Sequence, residues 1–453
     1  MSSDQFHLNF SLMSPGHYRA AWRLADADPY AYLDVDHYVH LAKIAEAAGI
    51  DALFQGDSPA LGPDVATGTS GGLDGFTLLA VIAGATERIG LLPTVSTTYS
   101  TPYSLARRFQ TLDHLTRGRA ALNVVTTGNP AAAANFGASA HPDRDVRYRR
   151  AHEFLDVITR LWESWEPDAI VADKATGQFG DRSRIHAIDH HGEFFDVAGP
   201  LPVPTSPQVR PVVSQAGETP AGLELAAEYA DVVFAAGHTV AKARASRDDV
   251  RARARAHGRD ADAVKYSLGL IVLVGTDQED AERRHDELDA TLPPIEYLVS
   301  AVLSSLGLPA DAFGPDDVIR LEDVPAEPNL RAFSVGTYNN ARAVLAEGPR
   351  TLRELVAHTA GIGTHRLLVG SPEHIADDLE SWWRQGAADG FTVMFADTRV
   401  DLERFATLVV PILKERGLFH REYPQGTLRD RLGLPVPAAR SAGRRPVASP
   451  AGR

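Results

Sequence analysis

The chain has no cysteine, three methionines in 453 residues, and no apolar run near the ~18 residues that a membrane-spanning helix requires. The missing cysteine excludes disulfides, thiolate nucleophiles, and zinc or iron–sulfur sites with thiolate ligands. The opening MSSDQFHLNF has neither a basic n-region nor an apolar h-region, so no secretion signal is expected. Positive charge is also scarce: 45 Lys and Arg face 59 Asp and Glu, for a formal net charge of −14. Four of the arginines fall in residues 434–453, which hold no acid, so the rest of the chain is more acidic still. That balance argues against a nucleic-acid surface. These absences point to a cytoplasmic protein that engages neither nucleic acid nor membrane.

What is present is 44% hydrophobic, enough for a well-filled core. Short apolar strands are expected at 6–12, 51–57, 89–97, 120–125, 211–217, 231–237, 264–275 and 391–395. Amphipathic helices separate them. SLARRFQTLDHLT (104–116) puts Leu105, Phe109, Leu112 and Leu115 on one face. SPEHIADDLESWW opens with Ser371 as N-cap and Pro372 behind it. Eight such units predict an α/β fold, a single closed (β/α)8 barrel of the TIM type, with an open doubly wound sheet as the alternative. Two connections exceed a plain crossover: about 166–210 after the fourth strand, and about 291–365 after the seventh. Such lengths mark lids, functional loops or interface elements. One barrel domain is expected over 1–433, and the Pro/Ala/Arg-rich tail 434–453 has the composition of disorder.

In β/α barrels the site sits at the C-terminal ends of the strands. The stretch RAALNVVTTGNP (119–130) is the most telling. Asn123 interrupts a run that reads as buried on both faces, and a buried Asn needs hydrogen-bond partners. Thr126, Thr127 and Asn129 crowd the exit. Other strands end in Gly56-Asp57, Ser96-Thr97-Thr98-Tyr99, Gln215-Ala216-Gly217-Glu218-Thr219 and Ala235-Ala236-Gly237-His238. These ends are polar and mostly neutral, whereas a hydrolytic metal site needs clustered His and carboxylates. The doublet His190-His191 does not supply one, because neighbours on an extended chain point apart. No metal is expected. The profile suits a large neutral ligand held by many hydrogen bonds, with one anionic group. Gly217 precedes a helix N-terminus whose N–H groups can hold a phosphate, and Tyr148 can donate to the same anion.

Segments spread along the chain carry a resemblance: GHYRAAWR (16–23), STTYSTPYSLARRFQTLDHLTRGRAALNVVT (96–126), DVRYRRAHEFLDVITRLWESWEPDA (145–169), HGEFFDVAGPLPVPTSPQVRPVVSQAG (191–217), GSPEHIADDLESWW (370–383) and TLRDRLGL (427–434). The sequence resembles bacterial-luciferase-like, FMN-dependent monooxygenases, in the branch of nitrilotriacetate monooxygenase, dibenzothiophene-sulfone monooxygenase, long-chain alkane monooxygenase and the pristinamycin synthase A subunit, whose substrates include aminopolycarboxylates, sulfones and alkanes. The resemblance implies a two-component enzyme. Reduced FMN (FMNH2) would come from a separate NAD(P)H:flavin reductase. O2 would add at the flavin C4a carbon, and the hydroperoxide would pass one oxygen atom to a small organic substrate. A homodimer or homotetramer is implied, as is a closing lid, for which 291–365 is the candidate.

Residue by residue, the resemblance puts FMN on Asp57, on Thr97 or Thr98, and on Asn123 and Thr126. It puts the phosphate near Tyr148 and near Thr219 with its preceding loop, Gly217 and Glu218. His17 matches a family histidine near the reactive face. Two positions depart from the pattern. Arg144 stands where relatives carry His, four residues before Tyr148, with His141 three residues earlier. An Arg there can bind the phosphate or an anionic substrate. Thr219 replaces Ser and keeps the hydroxyl, whereas Glu218 replaces a small residue and repels a phosphate unless its side chain turns away. Two other activities fit the same barrel: deazaflavin-dependent hydride transfer without oxygen, and a non-catalytic flavin-binding partner subunit.

Overall fold

Eight parallel strands close on themselves in the computed structural model, which describes residues 5–18, 20–61, 65, 68–69, 71–326, 335–359 and 365–437. They are β1 (His7–Ser11), β2 (Ala52–Gln55), β3 (Gly90–Ser96), β4 (Ala121–Val125), β5 (Val212–Ala216), β6 (Val232–Ala235), β7 (Lys265–Val274) and β8 (Gly390–Phe395). Each pairs with the next, and β8 pairs with β1 to complete the ring. The closed barrel is the one expected, and the open sheet is excluded. A further strand, Arg366–Gly370, was not expected from the sequence. β7 runs for 10 residues against 4 in β6, so its upper half, Leu270–Val274, outlasts that neighbour and takes this strand instead.

The outer layer consists of α1 (Val35–Ala48), α2 (Gly75–Ala85), α3 (Pro102–Leu115), α4 (Arg144–Trp162), α5 (Pro220–Tyr229), α6 (Val240–Ala256), α7 (Gln278–Asp289) and α8 (Pro372–Arg384). Most start on side-chain caps: Asp34, Asp74, Thr219, Thr239, Asp277 and Ser371 each accept from an N–H of the first turn.

Strand residues alternate between this layer and the lumen. Leu8, Phe10, Leu53, Leu91, Val233, Leu268 and Leu270 pack with the helices. Ala52, Leu92, Ala121, Val212 and Val232 form an apolar floor, sealed from below by Leu428, Leu432 and Leu434. Leu434, placed by the sequence at the start of a disordered tail, is therefore buried, because it completes the floor. Residues 438–453 of that tail lie outside the described residues. One level above the floor, the lumen turns polar. Thr94, Asn123 and Ser214 stand side by side in register, and Ser267 Oγ lies 2.9 Å from Thr392 Oγ1.

The stretch 166–210 carries two small antiparallel pairs, Ile170–Asp173 with Gln178–Gly180, and His190–His191 with Asp196–Val197. The second insertion holds helices Ile295–Ser305, Val335–Ala346 and Leu352–Thr359 around a core of its own, including Leu303, Ile319, Tyr338 and Leu352. Among the described residues no helix is long and apolar enough to cross a membrane.

Candidate active site at the barrel mouth

The exits of β2, β3 and β4 form one side of the mouth. Asp57 follows β2 and accepts from the Gly75 N–H at 3.3 Å, at the start of α2. Burial pushes its carboxyl above the usual range, and the Gly75 N–H opposes that shift. Thr97 Oγ1 donates to the Val125 carbonyl at 3.2 Å, and Thr98 Oγ1 donates to the Thr126 carbonyl at 2.8 Å. Both hydroxyl protons are thus spent on fastening β3 to β4, which leaves these oxygens as acceptors. Arg147 donates to the Thr126 and Thr127 carbonyls, and Arg150 to those of Thr97 and Thr98. These two cations hold the loops in place. Asn123 Nδ2 donates to Thr94 Oγ1 at 3.0 Å, while Asn123 Oδ1 and the neighbouring Ser214 Oγ are buried without a partner among the described residues. A buried polar atom left unpaired costs about 1–3 kcal/mol, so such atoms in a lumen need a partner, which a water or a bound molecule can supply. Asp57, Ser96, Tyr99, Thr127 and Phe136 line a cavity of about 170 Å³ between these loops.

The next exit, after β5, meets α4. Tyr148 OH lies 3.3 Å from Thr219 Oγ1, and the Arg144 guanidinium sits 5.7 Å from the Tyr148 ring centre. Thr219 Oγ1 also caps α5 by accepting from the Gly222 N–H at 3.2 Å. Tyr148 and Thr219 therefore meet at a helix N-terminus, with Arg144 beside the Tyr148 ring, an arrangement whose chemistry suits an anion. Glu218 turns away. Its Oε1 accepts from Tyr266 OH at 3.0 Å and its Oε2 from the Ala236 N–H at 3.1 Å. The repulsion that its sequence position threatened is removed by this orientation. His141 does not join the group; its Nδ1 pairs with Tyr99 OH at 2.8 Å.

His17 lies on the loop after β1. Gly16 lets this loop press on β8, since an added Cβ would sit 2.0 Å from the Ala396 carbonyl oxygen. The His17 N–H then donates to the Phe395 carbonyl at 2.8 Å. Nε2 of its ring is shielded and has no partner among the described residues. The ring is a neutral imidazole near pH 7. Burial, and then His365, lower its pKa to about 3. His365 itself was not anticipated. Burial, and then His238, lower it to about 4. The signal lay in GTHRLLVG (363–370), a histidine just ahead of a short apolar run inside the second insertion.

The model of the family described as luciferase-like monooxygenase matches residues 16–389. The chain belongs to the luciferase-like monooxygenases. N-acetyl-S-(2-succino)cysteine monooxygenase of Bacillus subtilis (strain 168) is 36% identical over 438 residues, 97% of this chain and 98% of that one. Nitrilotriacetate monooxygenase component A of Aminobacter aminovorans is 37% identical over 451 residues, 96% of this chain and 98% of that one. The solved structure of EDTA monooxygenase from Chelativorans sp. BNC1 matches with a TM-score of 0.79 at 35% identity, over 95% of this chain and 99% of that one. The luciferase-like monooxygenase family implies a flavin cofactor, and the mouth of this member fits one. A flavin ring edge both donates and accepts hydrogen bonds, which matches the unpaired Asn123 Oδ1 and the acceptor hydroxyls of Thr97 and Thr98. Among the described residues no group of three or more His, Asp or Glu side chains is placed to hold a metal; His190 and His191 pair separately with Glu153 and Asp196.

Proposed function

We propose that this luciferase-like monooxygenase is the oxygenase component of a two-component system, using reduced FMN from a separate NAD(P)H:flavin reductase and O2 to oxygenate a small organic substrate. The observation that carries this reading is the unpaired Asn123 Oδ1 in the lumen, on the same flank of the mouth as the Tyr148–Thr219 anion site. In this reading Arg144, Tyr148, Thr219 and the Gly217 loop hold the phosphate. Asp57, Thr97, Thr98, Asn123 and Thr126 hold the ring edge. Glu218 shapes the loop without touching the cofactor. When bound, reduced FMN supplies the two electrons and the carbon centre at which O2 is activated. The chain's part is to orient that centre and keep water away from it, and the leucine-sealed floor closes the lumen from below. His17 offers an unpaired imidazole nitrogen at the opposite flank. The name "component A" of the nitrilotriacetate relative supports a second component here.

Anaerobic titration with reduced and oxidised FMN, followed by O2-uptake assays with and without a flavin reductase, tests the reading. Reduced FMN is expected to bind, and NADH-driven O2 uptake is expected only with the reductase present. NADH turnover by the pure chain alone, or hydride transfer with a deazaflavin and no O2 uptake, would overturn it.

A further inference from the structure

We propose that His365 is a positioning residue of the reaction chamber. With His17, it selects a substrate that carries a hydrogen-bonding group beside the atom to be oxygenated, and disfavours a plain hydrocarbon. The proposal rests on the monooxygenase reading above.

His365 immediately precedes the strand that β7 recruits beyond β6. Its ring lies over Gly269 of β7. A Cβ on Gly269 would stand 2.6 Å from His365 Nδ1 and 2.8 Å from Phe234 Cε2, so a side chain there must displace these rings. Phe234 lies against His365 at 5.3 Å between ring centres, and against Phe54 at 5.1 Å. An aromatic row therefore spans β2, β6 and β7 and ends in an imidazole. Nδ1 of that imidazole is shielded and has no partner among the described residues, and the same holds for Nε2 of His17. The other titratable group facing His365 is His238 on the β6 loop, which in turn faces Glu218 and Lys242.

Two unpaired nitrogens amid aromatic walls set the substrate's chemistry. A hydrocarbon filling the chamber would seal both from water and satisfy neither. A site built to hydrogen-bond its substrate rejects an analogue without the polar group far more strongly than an apolar pocket rejects a wrong methylene. Each neutral imidazole presents one unpaired nitrogen, which donates or accepts according to tautomer. The pair thus takes an oxygen- or nitrogen-bearing group such as a carboxylate, amide or sulfone.

The test compares three polar probes, nitrilotriacetate, N-acetyl-S-(2-succino)cysteine and dibenzothiophene sulfone, with hexadecane, in the full chain supplied with reduced FMN by a reductase. Product formed per O2 consumed and kcat/KM are read for the unsubstituted protein and for H365L, H365N and G269A. At least one polar probe is expected to exceed hexadecane by about 100-fold or more. H365L should cut that ratio at least tenfold and leave reduced-FMN affinity within about twofold. H365N, which keeps a polar atom near the Nδ1 position, should restore most of it, and G269A, which displaces the ring, should behave like H365L. Nitrogen-15 NMR of the histidine rings, run without flavin, should show the His365 Nδ1 signal move with a saturating polar probe and stay still with hexadecane. Equal use of hexadecane, an unchanged ratio in H365L, a loss of reduced-FMN affinity in H365L, or no movement of the Nδ1 signal with any polar probe would overturn the proposal. Failure of the unsubstituted protein to bind reduced FMN would count against the flavin reading instead, and the NMR arm would still decide the role of His365.

Discussion

Asn123 shows how much a single buried amide can ask of its surroundings. Its strand is apolar and buried, yet its amide faces the lumen with one partner, Thr94, and one atom left over. If that atom meets the flavin, N123A should weaken reduced-FMN binding about tenfold, the worth of one hydrogen bond at about 1.4 kcal/mol, as read by fluorescence titration. Glu218 gives the opposite expectation. Its carboxylate is occupied by Tyr266 and Ala236, so E218Q should change FMN affinity by less than about twofold, whereas a carboxylate facing the phosphate would yield a marked gain on neutralisation. The two lumen histidines set a pH dependence. An unfolded imidazole titrates near 6.5, while His17 and His365 are lowered to about 3 and about 4. Between those values the unfolded chain binds more protons, so stability falls as pH drops below about 6.5, by up to about 1.4 kcal/mol per pH unit for each ring. Urea midpoints measured from pH 7.5 to 4.5 should show the decline, and the H17Q/H365L double variant should flatten it.

At the scale of elements, the eight barrel strands were legible because each is an apolar run bounded by turn residues and separated by a helical period. The strand Arg366–Gly370 was not. It is five residues long, and it exists because β7 outlasts β6, which is a property of the partner strand. The floor was equally hidden. TLRDRLGL contains only a four-residue helix, Leu428–Arg431, too short to show a period, and its burial depends on meeting residues in the lower halves of five strands. Arg429 in the same segment is buried and paired with Asp231 at 2.8 Å, just ahead of β6. L428A is therefore expected to cost about 2–5 kcal/mol in urea denaturation, the range for a large-to-small change in a packed core. A variant that loses no more than an exposed leucine would show that the floor is not a structural plug.

Across the whole molecule, the closed barrel brings the polar strand ends at Asp57, Thr97, Thr98 and Thr219 to one mouth, where Tyr148 of a neighbouring helix meets Thr219. The opposite flank was only half legible. His17 was anticipated through a family resemblance, but His365 reaches the lumen from the far end of an insertion with its own core, and no local pattern encodes that approach. Removing residues 438–453 should leave the melting temperature and FMN binding unchanged, while removing everything from Thr427 onward should lower the melting temperature by several degrees or abolish folding. The floor also decides where anything can be attached. The last described residues emerge beneath the barrel, at the end remote from the mouth. A tag or surface tether placed there leaves the entrance clear. A reductase fused there would gain proximity to the wrong pole, and its flavin would still travel the height of the barrel through solvent before reaching the entrance.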